Sequence, residues 1–159
     1  RIAEGREAGT RLGGNLLTGS DEFVVCDLPH KPVIELVDGW VSEISPDEIF
    51  VHWKKDSNQD HVLIARAVFA ATRRSSVSVF MYESMTSIEF TPTIFVDITA
   101  QMKKKEKLLR LFASQQTRDR RMKGFDLIKR MHAAARYHGV IASMECCEGF
   151  VPYRVTKKW

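Results

Sequence analysis

Residues Ile49-Phe50-Val51-His52-Trp53-Lys54-Lys55-Asp56-Ser57-Asn58-Gln59-Asp60-His61, followed by Val62, Ala65, Val68, Phe69 and Thr72 at helical spacing, decide the fold. A five-residue, mostly apolar run bounded by polar residues reads as a strand, and the spacing after His61 predicts a helix. Lys54 to Asp60 is then a strand-to-helix loop. Working outward, Val77 to Tyr82 reads as the next strand. On the upstream side Val33, Leu36, Val37, Trp40, Val41 and Ile44 share one helical face, with Pro32 where a helix can start and Ser45-Pro46-Asp47 as its break. Phe23 to Val25 predicts an earlier strand closed by Asp27 and Pro29, and Arg1 to Leu12 a helix stopped by Gly13. Strand, helix, strand, helix, strand with short connections is the pattern of right-handed crossovers, which gives an α/β, Rossmann-like, mainly parallel sheet flanked by helices.

Downstream, Ile94-Phe95-Val96 reads as one more strand. Asp97 and Thr99 offer N-cap chemistry for a helix to about Ala113, and a further helix is expected between Asp126 and Tyr137. The tail from Ser143 to Val155 reads as extended or irregular. With 159 residues, 44% hydrophobic content and no repeat or linker, residues 1–159 are expected to form a single domain. The chain begins with Arg1, without an initiator methionine, and with a helix that no strand precedes. A segment upstream is therefore expected, and the sheet is expected to be incomplete at the N-terminus.

The net charge of +4 resides largely in Lys103, Lys104, Lys105 and Lys107 and in Arg118, Arg120, Arg121 and Lys123. No aromatic residues interleave with them as a single-strand stacking platform requires, so they read as a solvated helix face and a basic turn, with no nucleic acid as partner. No apolar run approaches the ~18 residues of a membrane span, and no signal peptide opens the chain, so neither membrane association nor export is expected. Three cysteines, two of them the adjacent Cys146 and Cys147, do not make a disulfide framework. Reduced thiols and a cytoplasmic location follow as expectations.

In open α/β sheets ligands bind beyond the carboxyl ends of strands, where loops converge and helix N-termini point. The loop from Lys54 to His61 is such a place and holds the densest polar cluster in the chain. Asp56 or Asn58 can be read as helix caps or as site residues. His61 falls in the first helical turn, yet a catalytic zinc needs about three protein ligands, so the loop alone does not make a zinc site. Cys146-Cys147 lacks Cys-x-x-Cys spacing, Gly13-Gly14 follows a helix where a phosphate loop follows a strand, and no Gly-x-Ser-x-Gly elbow is present.

These residues resemble the LmbE/PIG-L family of zinc-dependent N-deacetylases over nearly the whole chain. Arg1, Glu4, Ala8, Leu12 and Gly13 are similar to that family's Arg-x-x-Glu helix ending in Leu-Gly, and Asp27 to the acidic residue closing its next strand. Pro46-Asp47, His52, Asp56 and Asp60-His61 resemble the segment that ends in Asp-x-His-x-Asp-His. Val96-Asp97-Ile98-Thr99, Lys105 through Ser114-Gln115, and Cys147-Glu148-Gly149-Phe150 with Arg154 match later motifs in order.

The resemblance implies that the chain is the C-terminal two-thirds of a deacetylase domain removing acetyl groups from amino sugars or related amides. It implies a mononuclear Zn2+ cofactor with His61 as the third ligand. The other two ligands and the general base come from a His-Pro-Asp-Asp motif, expected upstream because this chain lacks it. Asn58 and Asp60 fall in the implied catalytic set, Asn58 standing where a histidine is frequent, so that an amide replaces a group able to transfer a proton. Tyr82, Glu148 and Arg154 are the implied substrate-binding residues, with packing or ion pairing as the alternative role of each. A small N-acetylated sugar is the expected partner, with homo-oligomerisation as in relatives. A catalytically silent sugar- or protein-binding module is the alternative function.

Overall fold

The computed structural model describes residues 2–19, 30–115 and 126–156. They include α1 (Ile2–Leu12), α2 (His30–Ile44), β1 (Glu48–His52), α3 (Gln59–Ala71), β2 (Ser78–Tyr82), β3 (Ile94–Asp97), a 3-10 turn (Thr99–Gln101), α4 (Met102–Leu109), α5 (Leu127–Ala142) and β4 (Cys147–Arg154). The strands lie in the order β1-β2-β4-β3. Two compact units result, Glu22–Ile94 with Gly149–Trp159, and Arg1–Asp21 with Phe95–Glu148. The expected strand at Phe23 to Val25, Asp27, and the basic turn at Arg118 to Lys123 lie outside the described residues.

In the first of these units, β1, α3 and β2 form the crossover that the sequence predicts. β1 and β2 pair in parallel from Glu48 opposite Ser78 to His52 opposite Tyr82. Period-two alternation sends Val51, Val79 and Met81 into a core with Val33 and Val37 of α2 and Leu63, Ala65, Ala67, Val68 and Ala71 of α3. The alanines remove side-chain bulk, which brings the α3 backbone close to its neighbours. Phe50, Phe80 and Phe150 carry the opposite face: the first two rings stack at 5.4 Å, and Phe150 meets Phe50 edge-on at 5.3 Å.

The tail is a full strand. β4 pairs antiparallel with β2, Tyr82 opposite Phe150 and Val79 opposite Arg154, with a register shift between Val79 and Phe80. The sheet is therefore mixed where a mainly parallel one was expected, because the chain returns to the sheet from α5 in the reverse direction.

In the second unit, α1 stops as expected. Gly13 adopts φ 75°, and the amides of Gly13 and Gly14 return to the carbonyls of Thr10 and Gly9 at 3.1 and 2.9 Å. Asp97 Oδ1 accepts the Thr99 amide at 2.9 Å, but the residue at the N-cap of the 3-10 turn is Ile98 and that of α4 is Gln101, neither with a side-chain cap, so the N-cap role expected of Asp97 and Thr99 is not taken up. α4 ends at Leu109, short of Ala113, where i→i+3 bonds from Leu111 to Leu108 and from Phe112 to Leu109 tighten the chain. Asp126 caps α5 by accepting the amides of Ile128 and Lys129, and the helix continues beyond Tyr137 to Ala142. Ile98, Met102, Met131, Ala135 and Cys146 form the core of this unit. No helix among the described residues is long and apolar enough to cross a membrane.

Candidate functional site

Parallel pairing in register brings His52 and Tyr82 side by side at the carboxyl ends of β1 and β2. Beyond them the backbone remains tied. Trp53 N donates to Tyr82 O at 2.9 Å, Ser57 N to Thr86 O at 3.0 Å, and Ile88 N to Lys55 O at 2.8 Å. The Trp53 indole adds a bond to Ile88 O at 2.9 Å. The loop after β1 is thus laced to the loop after β2, and side chains from the two loops meet.

Asp56 is the centre of that meeting, its side chain 0% exposed. Oδ1 accepts the Asn58 amide at 2.8 Å. Oδ2 accepts the hydroxyls of Ser84 at 2.6 Å and Ser87 at 3.2 Å, and lies 3.2 Å from His61 Nδ1. Burial works against the carboxylate's charge, but the hydrogen bonds from Ser84, Thr86, Asn58 and His61 outweigh it and hold the carboxyl well below the usual range. Asn58 caps α3, its side-chain oxygen accepting the Asp60 amide at 3.0 Å. Asp60 and His61 occupy the first turn of that helix.

The His61 ring, its side chain 23% exposed, stacks on His52 with centroids 3.8 Å apart. Tyr82 Oη lies 3.2 Å from His52 Nε2. Burial pushes the Tyr82 hydroxyl up. Burial first, and then the neighbouring His61, push His52 down to about 4, against the pull of Asp56. For a base with a lowered pKa, the unfolded chain takes up a proton that the folded one refuses. Stability from this site is full above the ordinary histidine value of about 6.5 and declines as pH falls toward the folded value. An NMR titration is expected to find the His52 midpoint near 4. A midpoint near 6.5, the ordinary value, contradicts the stacked, shielded ring.

Four residues singled out from the sequence, Asn58, Asp60, His61 and Tyr82, come together at this end of the sheet. Arg154 faces Val79, near the start of β2, and its guanidinium donates to Thr72 O at 2.7 Å and Val77 O at 3.1 Å, closing the end of α3. Glu148 belongs to the other unit, where the Lys105 ammonium pairs with it. Sequence reading missed Ser84 and Ser87 as partners of Asp56. The signal available was a Ser84-Met85-Thr86-Ser87 run directly after a strand. A shallow hollow beside Asp56 is lined by His30, Gln59, Val62, Leu63 and Arg66.

No protein-family model and no curated protein sequence matches the chain. Solved structures do. The N,N'-diacetylchitobiose deacetylase from Pyrococcus horikoshii superposes with a TM-score of 0.77 at 19% identity, over 98% of this chain and 65% of that one. A conserved protein from Thermus thermophilus gives 0.74 at 21% identity, over 99% and 74%. The chain has the LmbE/PIG-L-type fold. The 4-carboxy-2-hydroxymuconate hydratase GalB from Pseudomonas putida gives 0.75 at 19% identity, over 99% and 73%. The LmbE/PIG-L-type fold thus supports more than one reaction among the solved structures, and the fold by itself does not choose between them.

One corner of this site has the surroundings of a metal-ligating histidine. A carboxylate on Nδ1 and a partly exposed ring is the outer-shell arrangement common to metal-ligating histidines. Among the described residues no group of three His, Cys, Asp or Glu side chains could hold a metal ion, so His61 is a single donor there.

Proposed function

We propose that the protein is a zinc-dependent N-deacetylase that hydrolyses an N-acetyl group on an amino sugar or a related amide. The observation that carries this reading is the Asp56-held imidazole of His61 at the carboxyl end of β1, in a fold shared with a solved deacetylase. His61 would be one of the residues holding the zinc ion, which would supply Lewis acidity toward the amide carbonyl and lower the pKa of water. The chain's own residues do the rest. Asp56 orients His61, and the stack with His52 limits rotation of its ring. Asn58 fixes the first turn of α3 from which Asp60 and His61 project. Tyr82, whose hydroxyl lies against the His52 ring, borders the site and contacts substrate. Arg154, whose guanidinium is spent on two backbone carbonyls, serves the site by holding the end of α3.

The expected result is acetate release from an N-acetylated amino sugar by the protein expressed from its gene with zinc supplied. His61→Ala is expected to lower the rate by more than about a hundredfold, since loss of even an outer-shell partner costs roughly 10–100-fold. Unchanged metal content and activity in that variant end the assignment of His61. A catalytically silent module that binds a sugar or protein is the second reading. It is favoured by Asn58, whose side-chain oxygen is engaged in capping α3 where the resemblance places a proton-transferring histidine. Substrate binding without acetate release, with zinc present, selects it.

A further inference from the structure

Two hydroxyls in the loop after β2 have hydrogen-bond directions that are fixed by the backbone. Thr86 N donates to Ser84 Oγ at 3.1 Å, and Ser84 N donates to Ser87 Oγ at 2.9 Å. An amide N–H is only ever a donor, so in each contact the serine oxygen must accept. The hydrogen of each hydroxyl is then left to point elsewhere: Ser84 Oγ lies 2.6 Å from Asp56 Oδ2 and 2.9 Å from Thr86 Oγ1, Ser87 Oγ lies 3.2 Å from Asp56 Oδ2 and 3.4 Å from Ser84 Oγ, and for both the carboxylate oxygen is the nearer and stronger acceptor. The remaining carboxylate oxygen accepts another obligate donor, the Asn58 amide. Asp56 is therefore surrounded by groups that give hydrogens and none that takes one. Its last neighbour, His61 Nδ1, lies at 3.2 Å from the same Oδ2, and an ionised carboxylate can only accept from it.

We propose that Ser84 and Ser87 are positioning residues that, through Asp56, set the tautomer of His61, placing its proton on Nδ1 and leaving the Nε2 lone pair bare. A protonated Asp56 could reverse the arrangement, with the carboxyl giving its hydrogen to Nδ1 and the imidazole carrying its own on Nε2. The two backbone-oriented hydroxyls oppose that reversal, because a carboxyl oxygen already receiving two hydrogens is poorly placed to offer a third. A loop 23 to 26 residues beyond His61 in sequence thus determines which ring nitrogen can act as an electron-pair donor. The lacing of the two loops, through Ser57 N to Thr86 O and Ile88 N to Lys55 O, holds the hydroxyls in place. The consequence for metal binding rests on the deacetylase reading above, since a bare Nε2 is what a cation needs, whereas the tautomer itself is a property of this chain alone.

The test is 15N NMR of the histidine rings in the whole chain at pH about 8.5, where an ordinary imidazole is neutral. His61 is expected in the Nδ1–H form, preferred about tenfold or more, the ratio that a hydrogen bond to a charged group sustains. Replacing both hydroxyls, Ser84→Ala with Ser87→Ala, is expected to reduce that preference severalfold while other amide resonances stay in place. Ser84→Thr, which keeps a hydroxyl, is expected to retain the wild-type ratio. Should the double variant fail to fold, Ser84→Ala alone carries the test, since Ser84 makes the shorter bond. An Nε2–H form in the wild type, or an unchanged ratio in a folded alanine variant, overturns the proposal. Neither metal nor substrate enters this measurement, so failure of the His61→Ala acetate assay and failure of the tautomer assignment are separate results.

Discussion

Gly139→Ala is expected to destabilise the protein by about 3 kcal/mol, the upper end of the overpacking range. Helix propensity alone argues for the reverse, since alanine in a helix interior is favoured over glycine by about 1 kcal/mol. Packing decides the sign. A Cβ at position 139 of α5 falls 2.5 Å from Glu145 O, 2.7 Å from Met144 O and 2.8 Å from Glu145 C, all of them backbone atoms. Those atoms have little freedom to retreat. Met144 N is bonded to Gly139 O at 2.8 Å, and Cys146 is held by Ile98 N and Thr99 Oγ1. Accommodating one methyl group means lifting the turn away from α5 and breaking these bonds. Gly39 of α2 is the control, because a Cβ there meets nothing within 4 Å. Gly39→Ala is expected to be neutral or to stabilise by up to about 1 kcal/mol. Denaturant midpoints of the two variants check the pair, and a Gly139→Ala midpoint at or above that of wild type contradicts the close approach.

Asp56→Ala is expected to cost about 3–5 kcal/mol, the range for removing one partner from a buried charged network. It strands the Asn58 amide and the His61 ring nitrogen, and leaves two backbone-oriented hydroxyls without their acceptor. Asp56→Asn separates charge from shape, and its signature is in the pH dependence. The folded carboxyl sits below its unfolded value, so its stabilisation is complete above about pH 4 and is lost as pH falls toward the folded value. His52 acts in an earlier window, between the ordinary 6.5 or so and about 4. Wild-type stability is thus expected to fall in two stages on acidification, and Asp56→Asn to lose the second while keeping the first. Denaturant midpoints taken from neutral pH to about pH 3 read both stages. A variant whose acid limb matches that of wild type contradicts the role given to Asp56.

The parts of the fold legible in the sequence are those with local causes. Gly13 ends α1 because a left-handed residue is needed there, and Val33, Val37 and Val41 define α2 by spacing alone. The crossover from β1 through α3 to β2 follows from two apolar runs separated by an amphipathic segment. β4 was legible only as extended chain, since its antiparallel pairing with β2 joins residues about seventy apart and leaves no local trace. α4 was overextended for a similar reason: Leu108, Leu109 and Phe112 keep helical spacing through a stretch where the chain tightens. At the site, Asp56, Asn58 and His61 were visible because they are close in sequence. Ser84 and Ser87 were hidden because serines after a strand are typical of any turn, and only the folded loops show that both hydroxyls converge on one carboxylate.

The position of β4 bears on how the chain is made. The sheet places residues 147–154 between β2 and β3, both completed far earlier during synthesis. Until that segment leaves the ribosome, the nascent protein carries two strands whose shared neighbour does not yet exist. A truncation after Ala142 therefore removes an interior member of the sheet and not a dispensable edge.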